Sequence, residues 1–274
     1  MAGTMRCCWP SIILANCISR SFEGITHLKI RYFLKARSAR SHDRELSRSD
    51  EKRLFPGQIV CDRSEIVLSG ALAITTDAVL NRGLSTGTTL RDDLRSSTHD
   101  VHERLHRHRG LAAVQAGTID LKAYTALLCR LYGFHRPFEV ATRLTPHRTI
   151  WLESDLEILG VDANQRAALP HCAATPEKAL CAYILGARYV VEGSALGGRG
   201  LARQLDDLLG PGVIAGRRFF TGHGSATGAV WREYLARLSA VPSVGPERAA
   251  VVAGAIQTFA IFEQWLGGWD EVYE

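Results

Sequence analysis

From Thr88 to the end of the chain, apolar residues recur at three- and four-residue spacing, the period of helices with one buried face. Thr88 or Thr89 caps a first predicted helix whose stripe is Leu90, Leu94, Thr98, Val101, His102 and Leu105, ending near Arg109-Gly110. A second is predicted from about Asp120 to Ala141, with Leu121, Tyr124, Leu128, Leu131, His135 and Phe138 on its face. A short segment, Trp151–Leu159, stops at Gly160. Thr175-Pro176 opens a long stretch through Ala179, Tyr183, Gly186 and Val190 that passes Gly193–Gly200 and ends at Gly210-Pro211. Residues 226–240 carry Val230, Trp231, Tyr234 and Leu238, and Pro246 starts a last helix through Val252, Ile256, Phe259, Phe262 and Trp265. No segment alternates with the period of a strand, so the expected fold is an all-α multihelical bundle over residues 86–274.

Residues 1–85 show no sustained period. They read as a basic N-terminal extension, either without fixed structure or an artefact of an upstream start. A short secretion signal at Cys7–Ser19 is broken by Pro10, and Glu23, Asp43, Glu45, Asp50 and Glu51 speak against an organelle transit peptide. The net charge of +5 belongs to this part: residues 1–56 hold 11 Lys/Arg against 5 Asp/Glu, and the rest 22 against 23. The patterned region therefore carries no basic footprint for nucleic acid. No uncharged apolar run reaches the ~18 residues of a membrane span; Ala249–Phe262 falls short, so no membrane is expected. The seven cysteines (Cys7, Cys8, Cys17, Cys61, Cys129, Cys172, Cys181) form no CxxC or zinc spacing and read as reduced, buried thiols of a cytoplasmic protein.

Two features carry chemistry. His99, His102, His106 and His108 crowd the first helix, with His102 eight residues after Leu94 and four after Thr98, on or beside the apolar face. An imidazole there serves as a transition-metal ligand, or His102 and His106 hold a bare metal ion at i, i+4, or the histidines are solvated or satisfied within the core. The second feature is Gly193-Ser194-Ala195-Leu196-Gly197-Gly198-Arg199-Gly200, inside a helical run. A helical glycine is less stable than alanine by roughly 1 kcal/mol, so four in eight residues need a reason. Missing Cβ atoms admit either a flat ligand or another helix. No strand precedes the run and no GxGxxG or Walker spacing is present, which argues against a nucleotide loop.

Thr98-His99-Asp100-Val101-His102 resembles the Thr-x-x-x-His motif of the heme oxygenase family, and Tyr189-Val190-Val191-Glu192-Gly193-Ser194-Ala195-Leu196-Gly197-Gly198 is similar to that family's distal helix. The order of the two motifs, about 90 residues apart, and the run Thr258–Trp265 look most like the bacterial, biliverdin-forming branch found alongside bacteriophytochromes. The resemblance covers about residues 88–268. It implies a heme oxygenase-like helical bundle with His102 as axial ligand of the heme iron. Gly193, Gly197 and Gly198 would lie against the ring, with Ser194, Gly197 and Gly198 at the site of oxygen binding and proton supply. Arg232 occupies a position where the family holds a heme propionate, Arg188 and Tyr189 are weaker candidates for that task, and Phe259 would wall the pocket.

The implied reaction is oxidative opening of heme, as substrate and cofactor, to biliverdin, with release of carbon monoxide and iron. It uses O2 and electrons from a reductase or ferredoxin, and a bilin-binding phytochrome would lie downstream. One position departs from the pattern. Many members carry aspartate directly after the first distal glycine, and here it is Ser194, which holds a water but supplies no carboxylate charge. Proton delivery would then rest on Ser194, on Asp206 or on backbone-held water. A non-catalytic heme-binding or trafficking protein, and a helical bundle holding a different small ligand, are the alternative functions.

Overall fold

The computed structural model describes residues 88–145, 147–175, 181–267 and 269. The extension expected over residues 1–85 lies outside them. Among the described residues the regular elements are helices: α1 Leu90–His106, α2 Arg109–Ala116, α3 Leu121–Ala141, α4 His147–Ile158, α5 Ala163–Ala167, α6 Cys181–Gln204, α7 Asp206–Leu209, α8 Arg218–Thr221, α9 Thr227–Ser239 and α10 Pro246–Leu266, with a 3-10 turn at Gly224–Ala226.

Local sequence accounts for several of the boundaries. Thr89 caps α1 by accepting from Asp92 N at 3.2 Å, while the Asp92 carboxylate accepts Thr89 N at 3.2 Å, a reciprocal capping box. Asp120 caps α3 with a single bond, accepting from Ala123 N at 2.8 Å. Pro246 starts α10 where its missing N–H would have no partner. The first helix ends at His106, close to the expected stop near Arg109-Gly110, and after a turn at Arg107-His108 the chain resumes as α2, which the spacing did not predict.

Other boundaries are set across space. The buried Glu139 at the end of α3 accepts Arg148 N at 2.9 Å and Thr149 N at 3.0 Å, satisfying the first-turn donors of α4. Helix α4 accordingly begins at His147, four residues before the expected Trp151. Asp155, fully buried, likewise accepts Arg218 N and Phe219 N at 2.8 Å each and starts the short α8, which no local pattern predicts. The expected Thr175-Pro176 opening of α6 falls partly on residues outside those described.

The bundle centres on α10, which packs most extensively on α6 and also on α1 and α3. Gly186 and Gly254 make the α6 crossing: a Cβ on Gly186 would overlap Val251 O, and one on Gly254 would overlap Tyr183 O. Helix α1 is pinned to α10 at both ends. Arg248 Nε donates to Asp93 at 2.9 Å, and Arg104 grips Glu263 with two bonds of 2.5 and 2.9 Å. Pro137 inside α3 leaves the Gly133 carbonyl free, and Cys172 N donates to it at 2.8 Å. By length and composition α10 (21 residues, mean hydropathy 1.3) could cross a membrane, although its uninterrupted apolar run looked too short. Here its buried residues, from Val251 to Leu266, belong to the bundle core. Cys129 and Cys172 are buried thiols outside any disulfide, as expected. Cys181 corrects that expectation, being exposed and disulfide-bonded.

Candidate functional site

Five of the six stripe residues of α1 are buried; His102 is not. Its side chain is 54% exposed, at the border between the core face and solvent. The ring stands edge-on to His106, centroids 4.5 Å apart, and edge-on to Phe259 of α10 at 6.4 Å. Partial burial, then the charge of His106, lowers its pKa, so the imidazole is neutral at neutral pH and keeps a lone pair for a metal. Phe259 is itself buried in the main core cluster, so it serves as core and neighbours the imidazole at once.

The glycine stretch of α6 divides by role. A Cβ on Gly198 would meet Phe220 O at 2.8 Å, so this glycine exists for close contact with α8. A helix contact, rather than a ligand, explains it. Gly193 has room, with the Trp231 ring 3.8 Å from where a Cβ would sit. Gly197 and Gly200 have nothing within 4 Å of that position, and Gly197 is exposed. No protein contact therefore explains glycine at 197, inside a helix where alanine is better by roughly 1 kcal/mol. Helices α1 and α6 both lie along α10, and α9 touches both. A half-exposed imidazole stands on one of these helices and a face bare of side chains on the other. Such a pair fits a flat, iron-bearing ring.

Ser194 is exposed, and its hydroxyl donates to Val191 O at 2.8 Å, leaving its oxygen lone pairs to accept from water. The same carbonyl accepts Arg148 at 2.7 Å, and Arg148 also reaches Glu192 at 3.2 Å. Burial pushes the Glu192 carboxyl up, but Arg148 and Arg188 outweigh it and hold the group below its ordinary range. This buried pair ties α4 to the back of the glycine stretch. Asp206 is bound by Arg217 at 2.6 Å, and Arg217 also donates to Ala202 O, so Asp206 braces the end of α6 rather than standing free.

Arg232 is exposed on α9, near Gly228. Arg188 is turned toward Glu192 at 3.5 Å. Tyr189 packs on Trp231, centroids 5.9 Å apart. Arg91 and Arg95 of α1 bring positive charge to Tyr189, a pair the sequence reading passed over. Their spacing was the available signal: Arg95 precedes His102 by seven residues, two turns up one face. The anchor Arg148 was also missed, since its partners lie 43 and 44 residues away in sequence.

The family model for heme oxygenase matches residues 88–267, about two thirds of the chain. No curated protein matches it significantly. Helix content, motif order and the matched span agree, and the chain belongs to the heme oxygenase family.

Proposed function

We propose that this protein opens heme to biliverdin, consuming O2 and electrons from a reductase or ferredoxin and releasing carbon monoxide and iron. The observation that carries the reading is that the family's two motifs present a half-exposed His102 on α1 and an α6 surface left bare at Gly197. His102 would hold the iron through its free ring nitrogen, and Phe259 would limit its swing. Gly197 would let the α6 backbone approach the opposite side of the ring, and Ser194 would hold a water there for proton supply. Arg232, with Arg91 and Arg95, would meet the ring's carboxylates at the mouth, where guanidinium pairs two oxygens at once. Gly198 would act indirectly, by seating α6 on α8. The hard chemistry belongs to the iron porphyrin; the chain supplies position and protons.

The motif pattern resembles the bacterial, phytochrome-associated branch, and a bilin-binding phytochrome would then consume the product. A cytoplasmic location is part of the same proposal. The second reading, heme binding without turnover, draws on Ser194, whose hydroxyl proton is already committed to Val191 O. Hemin, reductant and air separate the two. An oxygenase loses the Soret band and gains bilin absorption, whereas a carrier keeps the band unchanged.

A further inference from the structure

Gly193, Gly197 and Gly200 stand at i, i+4 and i+7 and so share one face of α6, about 10 Å long at about 1.5 Å of rise per residue. Alike in sequence, they differ in surroundings. At Gly197 and Gly200 nothing comes within 4 Å of a Cβ position, whereas at Gly193 the Trp231 ring of α9 lies 3.8 and 3.9 Å away through Cη2 and Cζ3. That gap admits a methyl group in ordinary contact. It does not admit a flat ring laid between helix and tryptophan, which needs about 3.5 Å of carbon–carbon separation on each of its two sides. A planar ligand on this face reaches Gly197 and Gly200 and stops short of Gly193.

Trp231 is held in that place. Its ring stacks on Tyr234, centroids 5.3 Å apart and 25° between planes, and Tyr189 of α6 packs on it at 5.9 Å. Tyr234 is buried, and its hydroxyl donates to Leu185 O at 2.8 Å, which anchors the stack to α6. Arg91 and Arg95 bring charge to Tyr189, so this aromatic group lies toward the start of α1. Helix α1 leads from there into α2, and Gly117, the C-cap of α2, meets Gln204 at the end of α6. Both helices therefore run from the aromatic group toward α2, with His102 and Gly197 each about two turns along.

Resting on the heme oxygenase reading above, we propose that Trp231 is a specificity-determining residue, the stop that confines heme to the Gly197–Gly200 end of the α6 face and fixes the in-plane angle of the ring beneath it. The edge of the ring that faces the α6 backbone follows from that angle, so Trp231 selects the meso carbon that is opened. Gly193 then lies under Trp231 rather than under the ring.

The test uses the full chain with hemin and cyanide in the ferric state, read by the hyperfine-shifted heme methyl signals in proton NMR. Their order reports the angle of the ring about the iron–imidazole axis. Trp231→Ala should add a second set of methyl signals or replace the parent set, and with reductant and air should change the ratio of biliverdin isomers in step. Trp231→Phe keeps a ring on Tyr234 and should shift both readouts in the same direction but less. Gly193→Ala should leave the methyl pattern in place, because the added Cβ meets only Trp231. The parent pattern retained in both Trp231 variants would make Trp231 plain core packing. That result, or an altered pattern in Gly193→Ala, overturns the inference and leaves the heme reading standing. A parent chain that takes up no hemin overturns both.

Discussion

At the scale of the residue, burial decides which groups hold charge. Asp155 caps α8 from inside the core, and burial raises its pKa to about 7 despite two backbone N–H donors. A carboxyl raised in the folded state binds its proton more tightly there than in the unfolded chain. Its contribution to stability is therefore greatest below the unfolded value near 3.8 and declines as pH rises toward about 7. Asp155→Asn should flatten that part of the stability profile, measured by urea denaturation at several pH values. An unchanged slope between pH 4 and 7 would show that Asp155 titrates normally. Spacing alone put His102 on or beside the apolar stripe, and the structure has it at that border. Spacing missed Asp155 and Arg148, whose roles come from partners far away in the chain.

At the scale of the element, the glycines of α6 make opposite predictions. Gly198→Leu should destabilise the fold by about 1–3 kcal/mol, the range for overpacking, because Phe220 O is backbone and cannot step aside. Gly197→Leu should leave stability unchanged or slightly raised, since glycine is a poor helix former and nothing opposes the side chain. The same change should cut heme turnover at least tenfold by filling the bare face. Thermal melts and bilin formation read the two effects separately, and equal losses of stability in both variants would refute the division. From sequence the run looked uniform, since spacing does not say which neighbour each missing Cβ meets. Helix starts divide similarly. The caps at Thr89 and Asp120 were legible because cap and helix adjoin, whereas α4 and α8 begin under carboxylates from other helices.

At the scale of the whole molecule, α10 is the common support. Arg248 and Glu263 pin α1 to it, and the Gly186–Gly254 crossing seats α6 on it. The proposed ligand site thus lies between helices that meet mainly through a third, and a ligand bridging them should stabilise the bundle. Hemin at a hundred times its dissociation constant adds about 2.7 kcal/mol to a protein that binds it only when folded. For a domain of this size that raises Tm by roughly 5–10 °C. A melt insensitive to hemin would mean that the pigment does not bridge α1 and α6. The all-helical class and the order of the long helices were legible in period and punctuation. The shared role of α10 was not, because its apolar residues surround the helix instead of marking one face.

The most direct test of the account is the absorption spectrum of the ferric hemin complex in the parent chain, His102→Ala and His99→Ala. The account predicts an imidazole-ligated heme in the parent and in His99→Ala, and its loss in His102→Ala with partial recovery on adding free imidazole. An unaltered spectrum in His102→Ala, or its loss in His99→Ala, would contradict it.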